Sequence, residues 1–145
     1  HQDATLYLAA NTGWGLMRAG NTAQATLAEN VLRKQLTPDG RLLSFMQTHW
    51  LYAGLLLLMK QEAGAILDML AEGSPSFSAS QLVWMGNCLL DSGLPKSHHL
   101  IQASVSRLRT LQQLDGSWSS DDSPLLTSQT TLEALRFYLL QGGSL

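Results

Sequence analysis

Asp121 and Asp122 stand side by side in Ser119-Ser120-Asp121-Asp122-Ser123. Neighbouring carboxylates resist double ionisation, so one of them can hold its proton to higher pH and act as a general acid. The ordinary alternative is a solvated loop pair or the cap of a short turn, since a perturbed carboxylate needs burial. A second group holds Cys88, Asp91 and His98 or His99, which offer the sulfur, oxygen and nitrogen that zinc accepts. Their spacing argues against a metal: Cys88 falls in mid-helix, Asp91 follows three residues on, and the His pair opens the next helix. No metal or cofactor is expected, and Cys88 reads as a small buried hydrophobe. A third group is aromatic. His49, Trp50 and Tyr52 open an apolar helix, and Trp14, Trp84 and Tyr138 lie on others. Facing a cavity, these rings would bind an apolar or cationic ligand. Facing one another, they are core.

The elements that would position these residues alternate between two kinds of helix. Asn21 to Leu36, Gln61 to Ala71 and Ser97 to Leu114 are amphipathic at the 3.6-residue period. In the first of them Ala23, Leu27, Val31 and Leu32 share one side, with Glu29, Asn30, Arg33 and Lys34 elsewhere. Thr5 to Ala19, Gln47 to Lys60, Gln81 to Asp91 and Gln129 to Leu140 are apolar nearly all round and read as inner helices, buried on every side. Gly20, Gly93 and Gly142 suit left-handed C-terminal caps, and Asn21, Ser97 and Ser128 can accept from first-turn amides. The links back to an inner helix resemble one another: Thr37-Pro38-Asp39-Gly40, Glu72-Gly73-Ser74-Pro75 and Leu114-Asp115-Gly116-Ser117-Trp118. With inner helices opening near Gln47, Gln81 and Gln129, the pattern is a degenerate helical-hairpin repeat.

Composition agrees. Leu supplies 30 of the 145 residues, and Val and Ile together only five, which favours helices over strands. Charged residues make up 14%, against roughly 25% in an average soluble domain, so disorder is excluded. Nine scattered Lys and Arg form no basic stripe, so no nucleic-acid partner is expected. The most apolar run, Leu51 to Met59, is half a membrane span. One cysteine makes no internal disulfide. Residues 1–145 read as one all-α domain of about seven helices, or a fragment of one.

The segment Gln112-Gln113-Leu114-Asp115-Gly116-Ser117-Trp118 fits the Gln-x3-Gly-x-Trp core of a known repeat. The C-terminal third thereby resembles squalene and oxidosqualene cyclases, whose repeat is related to that of protein prenyltransferases. Gln35 to Leu42 is a weaker copy with Leu42 in place of Trp. The resemblance implies a partial α/α toroid in which Gln112, Asp115, Gly116 and Trp118 form the structural motif, Gln112 and Trp118 bracing adjacent hairpins. It implies a repeat domain that binds an apolar ligand or a protein partner on its inner-helix face, with no catalytic acid or metal of its own. The family's acid positions fall on Ser128 and Gln129. The alternative is a half-toroid of an active isoprenoid cyclase or transferase, with Asp121 or Asp122 as the acid. The partners implied are an isoprenoid-like molecule or another protein domain, a second copy of the chain included.

Overall fold

Seven α-helices and two single 3₁₀ turns account for the regular structure of the computed structural model, which describes residues 2–120 and 124–143; no strand occurs among them. The helices are α1 Gln2–Arg18, α2 Thr22–Lys34, α3 Met46–Leu58, α4 Gly64–Gly73, α5 Ala79–Asp91, α6 His99–Leu111 and α7 Thr127–Leu140, with 3₁₀ turns at Ser74–Ser76 and Pro124–Leu126. Among the described residues no helix is long and apolar enough to cross a membrane. The chain divides into two compact units, His1–Leu70 with Cys88–Leu94, and Ala71–Asn87 with Pro95–Leu145. Asp121 and Asp122 lie outside the described residues.

In the first unit α1 packs on both α2 and α3. Nine consecutive residues of α3, Thr48 to Leu56, are buried, so this inner helix has no wet face. By contrast α1 buries a single stripe, Leu6, Ala10 and Gly13. A Cβ added at Gly13 would stand 3.0 Å from the Ala28 Cβ of α2 and 3.0 Å from a Leu55 methyl, so small residues set the helix spacing here. That spacing turns α2 away from the sequence expectation. Its buried residues are Ala25, Glu29 and Leu32, while Ala23 is exposed and Leu27 and Val31 are 66% and 47% exposed. Close approach to α1 admits alanines on the inner face and leaves the larger Leu27 and Val31 outside.

The inward turn buries Glu29, which is 2% exposed. Its Oε1 accepts from the Tyr52 hydroxyl at 3.1 Å, and its Oε2 lies 3.7 Å from Arg33 Nη2. A carboxylate so placed is tolerable because it has both a donor and a cation.

In the second unit α5 and α7 meet at Gly86, whose missing side chain leaves room for the Phe137 ring. The helix α7 buries one face only, Thr130, Ala134, Phe137 and Tyr138. Gly20, Gly93 and Gly142 do adopt the left-handed conformation expected of C-terminal caps, with φ of 84°, 102° and 96°. The N-caps differ from expectation. Asn21 makes no cap bond with its side chain; the imidazole of His98, rather than Ser97, accepts from Leu100 N; and Leu126 rather than Ser128 precedes α7.

Candidate functional site

The motif residues build one turn, and the chain builds it twice. In Gln113–Ser117 the Gln113 amide donates to Ser117 O (2.8 Å) and the Gly116 amide to Gln113 O (2.9 Å). In Thr37–Arg41 the Thr37 amide donates to Arg41 O (2.7 Å) and the Gly40 amide to Thr37 O (2.9 Å). Gly116 and Gly40 both need positive φ, 87° and 79°, which L side chains rarely adopt. In each copy an aspartate one residue before the glycine takes a hydroxyl: Asp115 that of Ser117, and Asp39 that of Thr37. These hydrogen bonds hold both carboxyls below the usual carboxylate range. The next buried side chain is Trp118 in one copy and Leu42 in the other.

Each copy is then locked by a side chain from the following helix. Trp118 N donates to Thr131 Oγ1 of α7 (3.0 Å), and that hydroxyl donates back to Trp118 O (3.1 Å). Leu42 N donates to His49 Nε2 of α3 (3.1 Å). Trp118 is wholly buried and its indole donates to Leu108 O at 2.7 Å, while Gln112 Nε2 donates to Gly116 O at 3.0 Å. The position of Gln112 is held by Leu36 in the first copy, where the Arg41 amide donates to the Thr37 hydroxyl oxygen at 3.0 Å. The middle link departs from the pattern. Pro75 is the second residue of the 3₁₀ turn Ser74–Ser76, and Gly73 has an ordinary right-handed φ of −81°.

His49 is thus held on both nitrogens: Nε2 accepts from Leu42 N, so Nδ1 carries the proton and donates to Phe45 O at 2.9 Å. Burial holds its pKa below the ordinary histidine value. A depressed pKa means the unfolded chain takes up a proton that the folded chain resists, so this stability is present above about pH 6.5 and is lost as pH falls. The expected result is a neutral, Nδ1-protonated His49 at pH 6 by nitrogen NMR. The drop in urea midpoint between pH 7 and pH 5 is expected to shrink in His49→Gln.

The remaining aromatics divide between the units. Trp50 and Tyr52 are core residues of the first unit, with Tyr52 committed to Glu29; burial raises the phenol pKa above its usual value. Trp14 is half-buried. Its indole donates to Ser92 Oγ at 2.8 Å, and the Arg18 guanidinium lies 4.7 Å from its ring centroid. In the second unit Tyr138 is buried, its hydroxyl accepting from Arg109 Nη1 at 3.2 Å, and Trp84 is 43% exposed. Among the described residues no three His, Cys, Asp or Glu side chains come together as a metal site would require. The Cys88 thiol is buried, which pushes its pKa up to about 12, and it donates to Trp50 O at 3.8 Å. A thiol so held is unreactive at neutral pH.

The sequence reading did not anticipate a cavity of about 180 Å³ in the second unit, lined by Ser76, Phe77, Ser78, Ala79, Arg107, Leu111, Trp118 and Ser119. Its walls come from three separate segments, so no motif announces it. No family model, curated protein or solved structure matches the chain.

Proposed function

We propose that this chain is a helical-hairpin repeat module of the terpenoid-cyclase type that works as a protein-interaction domain, pairing with a second copy through α2. The repeated five-residue turn, with its left-handed glycine and buried Leu42 or Trp118, supports the repeat reading. The observation that carries the interaction reading is the exposed stripe Ala23, Leu27 and Val31. Exposed apolar residues aligned on one helix face mark an association surface. The stripe is self-complementary. An antiparallel crossing of two α2 helices at Leu27 sets the small Ala23 of each copy against the larger Val31 of the other, as a two-fold contact requires. That crossing also keeps each Arg33 and Lys34 away from the partner's Arg33 and Lys34.

The burial of Trp50 in the core, with the buried and hydrogen-bonded Tyr52 and Tyr138, favours this reading over an apolar ligand held among the inner-helix aromatics. Light scattering across a concentration series tests it. The expected mass rises above the 15.8 kDa of one chain, and the double variant Leu27→Asp/Val31→Asp stays at one chain with its helical circular dichroism intact. A wild-type chain that remains a monomer throughout overturns the pairing. Saturable binding of farnesol to that monomer would favour the apolar-ligand reading instead.

A further inference from the structure

We infer that the cavity beside Trp118 is a binding site for a carboxylate carried on a compact apolar group, with Arg107 as its anchor. Arg107 projects from α6 as a half-buried side chain, and its Nε is shielded from solvent with no hydrogen-bond partner. No carboxylate among the described residues pairs with it. Buried polar atoms are nearly always satisfied in folded proteins, so a shielded guanidinium nitrogen with no internal acceptor points to an acceptor that arrives from outside. Among the described residues the lining contains no acidic side chain.

The other walls specify the ligand further. Ser78 Oγ accepts from Gln81 N at 3.3 Å, which leaves its hydroxyl proton available to an incoming oxygen. Ala79 opens α5, a helix of 13 residues whose N-terminal end carries partial positive charge toward the cavity it lines. Phe77, Ala79, Leu111 and Trp118 are the apolar part of a lining whose exposed surface is otherwise polar. One planar guanidinium suits the two oxygens of a carboxylate, whereas a dianionic phosphate calls for more than one cation. The volume of about 180 Å³ compares with the roughly 150 Å³ engineered cavity that holds one benzene molecule, so the apolar group is compact. A free branched-chain or aromatic acid and the C-terminus of a chain ending in Val share this chemistry.

The test is a titration with isovalerate, followed by amide NMR at Ser78, Ala79 and the Trp118 indole. Isovaleramide serves as the neutral isostere. Saturable shifts with isovalerate are expected, with binding at least tenfold weaker for isovaleramide. Arg107→Met is expected to weaken isovalerate at least tenfold at unchanged thermal midpoint, because the guanidinium has no internal partner to lose. Arg107→Lys, which keeps the charge and loses the fork, is expected to weaken it several-fold. A tripeptide ending in Val with a free carboxylate, compared with its C-terminal amide, separates the sources: tighter binding than isovalerate assigns a chain terminus, and weaker binding a free acid. Equal affinity for isovalerate and isovaleramide, or an Arg107→Met protein that binds isovalerate like the wild type, overturns the site.

Discussion

Replacing Trp118 by Ala is expected to lower the unfolding free energy by about 3–5 kcal/mol, measured by urea titration of the circular dichroism signal. The side chain is wholly buried, so its removal costs transfer free energy and leaves a cavity beside one already present. It also removes the indole hydrogen bond to Leu108 O at 2.7 Å, leaving that carbonyl with the Gln112 amide alone. The backbone of Trp118 is held at both N and O by Thr131, so the void has little freedom to close. Trp118→Phe retains most of the buried area and loses the indole bond, and its expected cost is smaller. Against a total stability of about 5–15 kcal/mol, the alanine variant sits near the limit of folding. A change below about 1 kcal/mol would show that Trp118 does not brace this link.

The second large effect has the opposite cause, overfilling. Glycine in a helix interior is worse than alanine by about 1 kcal/mol, so Gly86→Ala on an open helix would stabilise. Here the added Cβ would lie 2.4 Å from the Phe137 ring, a rigid group that is 2% exposed and cannot swing away. The expected outcome is a loss of about 1–3 kcal/mol despite the better helix former. The check is a double-mutant cycle with Phe137→Leu. The smaller side chain makes room, so the double variant is expected to be more stable than the two single losses would sum to. Additive losses would mean that Gly86 and Phe137 do not meet as described.

These two sites mark how far the sequence can be read. The Leu-rich, β-branch-poor composition and the 3.6-residue spacing predict an all-α chain, and each of the seven segments is a helix. Gly116 and Gly40 were readable because a reversal after Asp has few chemical solutions. The close meeting of Gly86 with Phe137 was not, because nothing local distinguishes a packing glycine from a tolerated one. The orientation of α2 was hidden for a related reason. That helix carries two eligible stripes, Ala23-Leu27-Val31 and Ala25-Ala28-Leu32, and hydrophobicity favours the wrong one. Spacing decides: Gly13 of α1 brings the backbones together, and only the stripe with alanines fits. Glu29 follows inward and is stabilised there by a Tyr52 hydroxyl 23 positions away. The Arg107 cavity escaped notice because its residues come from three segments, none with a signature. The Asp121–Asp122 pair falls outside the described residues, so its chemistry stands where the sequence left it.

Disulfide trapping tests the pairing of α2 most directly. Cys88 is buried and unreactive, so a cysteine introduced on the surface reports alone. A two-fold crossing at Leu27 brings the two copies of that residue together, within reach of a disulfide. Under mild oxidation Leu27→Cys is expected to give a covalent dimer. Leu132→Cys, equally exposed on α7, is expected to remain a monomer. Ala23→Cys should link poorly by itself and efficiently when combined with Val31→Cys. Equal cross-linking at positions 27 and 132, or none at 27, would contradict the assignment of α2 as the interaction surface.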